Sequence, residues 1–234
     1  MRKQKLFIAY LAVLHLLIAL LVVRTDAYQM LLRYVGVPPT EGSTFQRDVL
    51  AFQLRQQPFI PTNAVHLLGD SHIQGLYLND FCPNAVNLGI GGDTTSGLLA
   101  RMPYYSSLSN ASAAVLLIGF NDLRYRSNLQ IIEQYQQLLA QLPLKTRKLV
   151  VAIPPPASTF ADVEAAQRVQ QLNLALKKLA VGAAQTEFIV GTWQTLPANE
   201  ADSLLLTDKI HLAPSGYRVL RSQLQQALAE ECHE

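Results

Sequence analysis

With 234 residues the chain has room for one sizeable domain and a small appendage. Half of its residues are hydrophobic and 15% are charged, which supplies a substantial core. The net charge of +2, with no basic stripe and no interleaved aromatics, argues against a nucleic-acid partner. Cys82 and Cys232 form neither a CxxC pair nor a zinc pattern. Outside the cytoplasm they are able to pair, and the sequence leaves that open.

Arg2, Lys3 and Lys5 precede an unbroken apolar run from Leu6 to Val23, closed by Arg24. About 18 residues is just long enough to cross a bilayer as a helix. Residues 1–24 therefore read as a transmembrane signal anchor. The basic residues before it keep the N-terminus cytoplasmic and place the rest on the extracytoplasmic, periplasmic side. The alternative is a cleaved signal peptide and a secreted protein, for which Thr25-Asp26-Ala27 is a poor cleavage site. His15, near the middle of the run, reads as a lone neutral imidazole on one helix face.

Residues 25–61 read as a stalk or helical cover. Tyr28, Leu31, Leu32 and Val35 keep helical spacing until Val37-Pro38-Pro39 interrupts them. Ser43 or Thr44 can cap a second helix whose imperfect apolar face is Phe45, Val49, Phe52 and Leu54. Pro58 and Pro61 end it.

From residue 62 to 234, short apolar runs alternate with helical patterns. Strands are expected at Val65–Leu68, Ala85–Leu88, Ala113–Ile118, Lys148–Ile153 and Glu187–Val190. Helices are expected at Ile73–Leu78, up to Met102 behind the capping residues Asp93, Thr94 and Thr95, at Leu129–Leu142, at Ala161–Val181 and at Pro214–Glu230. Such alternation predicts a parallel sheet with helices on both faces, a three-layer α/β domain.

The polar loops follow the strands, so they can gather along the carboxyl edge of the sheet, where open α/β folds hold ligands. Acyl transfer by a serine needs a base, a group to orient that base, and donors for the tetrahedral oxyanion. Ser71, at the turn after the first strand, can supply the nucleophile, although Asp70 and Ser71 are also ordinary helix caps. His211 is the best base among five histidines, and Asp208, three residues earlier, can orient it. The backbone amides of Ser71 and Gly92 and the side-chain amide of Asn121 are candidate oxyanion donors. Gly92 and Asn121 also read as plain turn residues.

These residues resemble the SGNH, or GDSL-like, hydrolases, serine esterases and lipase-like enzymes. Gly69-Asp70-Ser71 is similar to the first family block, and Asn87 to Thr95, with Gly92 in the oxyanion position, to the second. Gly119-Phe120-Asn121-Asp122 resembles the third block, GxND, and Asp208-Lys209-Ile210-His211 the DxxH block. The resemblance runs from Val65 to the C-terminus. It implies an α/β/α fold with a flavodoxin-like five-stranded parallel sheet and no cofactor or metal. It also implies ester hydrolysis through an acyl-serine: Ser71 attacks, His211 shuttles the proton, Asp208 orients it, and Ser71, Gly92 and Asn121 hold the oxyanion. His72 stands where the family commonly has leucine; it is a rival base by proximity, and we expect it to line the cleft.

The expected activity is that of a membrane-anchored esterase acting on a small-molecule, lipid or glycan ester, O-acetyl groups on a glycan among them. The alternatives are an envelope O-acyltransferase using the same triad beside a membrane-bound O-acyltransferase partner, and a catalytically silent binding or scaffold protein. A small acyl group is expected, since the sequence has no long apolar lid insertion.

Overall fold

Strand β1 (Val65–Gly69) is buried at every position and lies between β2 (Ala85–Gly89) and β3 (Ala113–Leu117) in a computed structural model that describes residues 2–24, 42–78, 81–156 and 163–233. With β4 (Arg147–Val151) and β5 (Thr186–Ile189), the strands form one parallel sheet in the order β2-β1-β3-β4-β5. Burial on both faces explains why the central strands read as continuous apolar runs instead of alternating ones. The register sets Gly69 beside both Gly89 and Leu117, so three strands finish level. The order reverses between β1 and β3, which opens a crevice at their carboxyl ends.

The chain divides into two units, Met1–Arg47 and Asp48–Glu234. In the first, helix α1 (Arg2–Arg24) contains an apolar span, Lys3–Val22, long enough to cross a membrane; a signal sequence has the same character. Within it His15 Nδ1 donates to the Leu11 carbonyl at 2.6 Å. The expected helical spacing of Tyr28 to Val35 and the break at Val37-Pro38-Pro39 lie outside the described residues.

Helix α2 (Thr44–Gln56) starts with a reciprocal cap: Gln46 N–H donates to Ser43 Oγ, and Ser43 N–H donates to Gln46 Oε1. The expected apolar face is corrected here. Phe45 and Phe52 are exposed and Gln53 and Gln57 are buried, while Leu54 packs on the core as expected, joined by Leu50. Two glutamines take inward positions because they have partners, and those partners bear on the site described below.

The remaining helices are α3 (Ser71–Gln74), α4 (Thr95–Arg101), α5 (Asn128–Gln141), α6 (Val163–Gly182), α7 (Ala198–Asp202) and α8 (Pro214–Ala227). Helix α5 is fixed by a Ser127–Gln130 capping box and buries Ile131, Tyr135, Leu138 and Leu139, one face at helical spacing. Helix α6 buries Val169, Leu172 and Leu176, and Asn173 holds both the N–H and the carbonyl of Ile153 where β4 has ended. Each fully buried leucine or isoleucine is worth about 1.5–3 kcal/mol, and dozens of such side chains meet around the sheet.

Helix α3 is a single turn, not the Ile73–Leu78 helix expected. It stops at Gly75, whose missing side chain leaves room for Tyr217 of α8: a Cβ there would lie 2.2 Å from the phenol oxygen. Gly69 is just as constrained, since a Cβ would meet the Leu117 carbonyl at 2.2 Å.

Cys82 and Cys232 form a disulfide that joins the loop before β2 to the C-terminus, 150 residues apart in sequence. Closing so long a loop removes chain entropy from the unfolded state, and such bonds typically contribute about 2–4 kcal/mol. Replacing Cys232 by serine together with Cys82 by alanine is therefore expected to lower the urea midpoint by that equivalent, with the m-value showing whether the unfolded state has expanded.

Candidate active site

The turn after β1 is fixed before any chemistry is considered. Asp70 caps α3, its Oδ1 accepting the His72 amide at 3.0 Å, and its own N–H reaches the Leu117 carbonyl. Ser71 follows as the first residue of α3. With only one turn, α3 has little macrodipole to offer Ser71, and what it presents is local amides. Among the described residues no acceptor faces the Ser71 N–H.

The Asp208–His211 segment is a tight antiparallel turn. Leu205 bridges Leu212, Leu206 N–H donates to the His211 carbonyl at 2.7 Å, and Ala213 N–H donates to the Leu204 carbonyl at 2.8 Å. Lys209 reverses the chain at φ +63°, the left-handed region. That reversal aims the amides of Ile210 and His211 at Asp208 Oδ1, both at 3.0 Å. Asp208 Oδ2 accepts from His211 Nδ1 at 2.6 Å, and His211 Nε2 lies 2.9 Å from Ser71 Oγ. A neutral His211 with its proton on Nδ1 leaves Nε2 free to accept the serine proton. Desolvation pushes the Asp208 carboxyl up, but the hydrogen bonds from His211 and the two amides outweigh it and hold the group down at about 2.

On the opposite side of Ser71, Gly92 lies at φ +72° in the turn after β2, and among the described residues its N–H has no acceptor. Asn121, in the turn after β3, donates one Nδ2 hydrogen to the Asp93 carbonyl at 2.9 Å and keeps a second. Expected donors therefore come from the ends of three adjacent strands.

Buried charge sits beneath these turns. Arg101 pairs with Asp93 at 2.7 Å and donates to the carbonyls of Leu88 and Gly69, at the ends of β2 and β1. Tyr105 links Arg101 to Gln53 of α2, whose amide donates to the Gly89 carbonyl. Burial raises the Asp93 pKa, and Arg101 pulls it back. Asp122 accepts from the Thr95 amide and hydroxyl and from Arg126, tying the Asn121 turn to the start of α4. Burial, partly offset by those donors, raises the Asp122 pKa to about 6.

Sequence reasoning treated Asp93 as a cap and Asp122 as a motif letter. It passed over Arg101 and Gln53 altogether. The available signal was an arginine eight residues after Asp93 that closes a helix with no other charge. His72 is corrected: it does not line the cleft but is buried, Nδ1 3.0 Å from Asp70 Oδ1 and Nε2 3.2 Å from the Ile210 carbonyl. Both ring nitrogens are engaged away from Ser71, so it is no rival base. A cavity of about 590 Å³ lies by the carboxyl ends of β4 and β5, between Pro155, Phe188 and Trp193, and its lining includes none of Ser71, Asp208 or His211.

The sequence model of the GDSL-like Lipase/Acylhydrolase family matches residues 67–219. The chain belongs to this family. It is a hydrolase acting on ester bonds. Solved structures similar to this GDSL-like acylhydrolase include a Streptococcus pneumonia protein described under platelet activating factor, at 20% identity and TM-score 0.72, covering 86% of this chain and 98% of that one. A GDSL-like lipase from Bacteroides thetaiotaomicron shares 18% identity at TM-score 0.65, covering 77% and 97%. An acetylxylan esterase from Geobacillus stearothermophilus shares 16% at TM-score 0.56, covering 74% and 95%. At these identities the likeness is one of fold. No curated protein matches the sequence.

The Asp122 carboxyl gives this acylhydrolase a pH signature. Its folded pKa of about 6 lies above the ordinary 3.8, so between about pH 4 and 6 the folded state holds a proton the unfolded state has lost. Stability from this group falls as pH rises through that window, by on the order of 2 to 3 kcal/mol. Denaturant titrations from pH 4 to 7 are expected to show that downward slope in the wild type and a shallower one in Asp122→Asn.

Proposed function

We propose that the protein is a membrane-anchored serine esterase working on the extracytoplasmic side through an acyl-serine intermediate. The observation that carries this reading is the continuous chain from Asp208 through His211 to Ser71 Oγ, with bonds of 2.6 and 2.9 Å. As His211 Nε2 takes its proton, Ser71 Oγ bonds to the ester carbonyl carbon. The carbonyl oxygen then bears the negative charge, which the amides of Ser71 and Gly92 and the second Asn121 hydrogen receive. Collapse breaks the bond to the alcohol oxygen, which leaves with the His211 proton. Water, deprotonated by His211, then attacks the acyl-serine and releases the acid and Ser71.

The side chains of His211 and Asp208 are about two-fifths exposed, at 41% and 46%. So open a site suits an ester carried on a bulky alcohol, and O-acetyl groups on a glycan are the substrate class we favour. The apolar span of α1 behind Arg2, Lys3 and Lys5 supports anchoring with the enzyme domain outside the cytoplasm. The Cys82–Cys232 disulfide supports an oxidising compartment.

Turnover of p-nitrophenyl acetate, butyrate and octanoate by the full chain in detergent tests the reading, with acetylated xylan as the glycan arm. Ser71→Ala is expected to abolish turnover and labelling by a fluorophosphonate. Asn121→Ala, which removes one oxyanion donor, is expected to lower kcat by about 100- to 1,000-fold. A folded wild type that neither turns over nor labels at Ser71 sinks the esterase reading.

A further inference from the structure

His72 is 1% exposed, and both partners of its ring are acceptors. Asp70 Oδ1 lies 3.0 Å from Nδ1 and the Ile210 carbonyl oxygen 3.2 Å from Nε2. A neutral imidazole carries one N–H and satisfies one of them, while an imidazolium donates to both. We propose that His72 is a positioning residue, held as an imidazolium, that clamps the Asp208–His211 turn to the turn bearing Ser71.

The geometry shows what the clamp controls. The peptide group joining Ile210 to His211 is held at both edges: its carbonyl accepts from His72, and its N–H donates to Asp208 Oδ1 at 3.0 Å. Fixing that peptide plane fixes the backbone from which the His211 ring projects toward Ser71. At its other end the ring grips Asp70, which caps the turn of Ser71 through the His72 amide. A closed loop results, running from Ser71 through its own turn to His72, across to Ile210 and His211, and back to Ser71 Oγ.

The groups facing the ring agree with a cation. Asp70 lies on its own turn, Asp208 and His211 on the antiparallel turn with the His211 ring centroid 5.8 Å away, and Phe120 presents its ring from the turn after β3 at 6.0 Å. Desolvation opposes the charge, but Asp70, the Ile210 carbonyl and Asp208 together prevail and raise the His72 pKa above the ordinary histidine value. A leucine here would fill the volume but could not bridge the two turns.

This inference rests on the esterase reading, so its test separates the two. The full chain in detergent is compared with His72→Leu, which loses both bonds, and His72→Gln, whose amide nitrogen can still reach the Ile210 carbonyl. Each kcat is expressed per site labelled by a fluorophosphonate, which removes unfolded protein from the count. Loss of the clamp is expected to lower kcat about 10- to 100-fold in His72→Leu with KM within about twofold, and His72→Gln is expected to recover several-fold. In the wild type, a nitrogen-15 spectrum at about pH 7.5 is expected to show two protonated ring nitrogens on His72. A His72→Leu kcat within twofold of wild type, or a single ring N–H in the wild type, overturns the proposal. If His72→Leu does not fold, the wild-type nitrogen spectrum decides alone, a single ring N–H overturning the proposal. Absence of Ser71-dependent turnover in the wild type defeats the esterase reading instead, and the nitrogen spectrum still decides the clamp.

Discussion

One hydrogen bond, between His211 Nε2 and Ser71 Oγ, joins two segments 140 residues apart in sequence. A bond of this kind is worth about 0.5–1.5 kcal/mol net, far too little to bring its own partners together. The scaffold must therefore deliver both turns already formed. It does so by finishing β1, β2 and β3 level with one another, so that the Ser71, Gly92 and Asn121 turns leave the sheet at one edge. The Asp208–His211 turn then arrives fully bonded within itself.

That edge is unusually polar for a core. Arg101 draws together the carbonyls that end β1 and β2, Asp93 neutralises it, and Asp122 ties the Asn121 turn to α4. Removing one partner of such a buried pair typically costs about 3–5 kcal/mol, because the other charge is left stranded. The network ties the ends of β1 and β2 and the Asn121 turn to α4. Gln53 of α2 belongs to the same network through Tyr105 and the Gly89 carbonyl. The segment preceding the first strand thus reaches the backbone of the Gly92 turn, although the family match begins only at residue 67.

The fold was legible because its signals are periodic and local. Apolar runs at Val65, Ala113 and Lys148 and helical spacing at Leu129 and Pro214 correspond to elements within a few residues of where they form. Ser71, Asp208, His211, Gly92 and Asn121 could be singled out because each sits in a short motif directly after a strand or before a terminal helix, and the structure brings Ser71 and His211 into contact. What was not legible depended on tertiary partners. The one-turn helix α3 ends at Gly75, where Tyr217 of α8 leaves no room for a side chain, a contact between distant segments. The inward Gln53 and Gln57 contradict a hydrophobicity pattern, and only their hydrogen bonds explain them. His72 reads from sequence as a cleft residue because its two acceptors, one two residues away and one 138 residues away, meet only in the folded chain.

Passage of ester cleavage through Ser71 can be read from one experiment. The most direct measurement is mass spectrometry of the acid-quenched full chain after brief exposure to p-nitrophenyl acetate, with the adduct located by peptide mapping. One acetyl group is expected on the peptide containing Ser71, formed at the rate of p-nitrophenol release and absent in Ser71→Ala. Turnover that persists in Ser71→Ala, or an adduct confined to another residue, would contradict it.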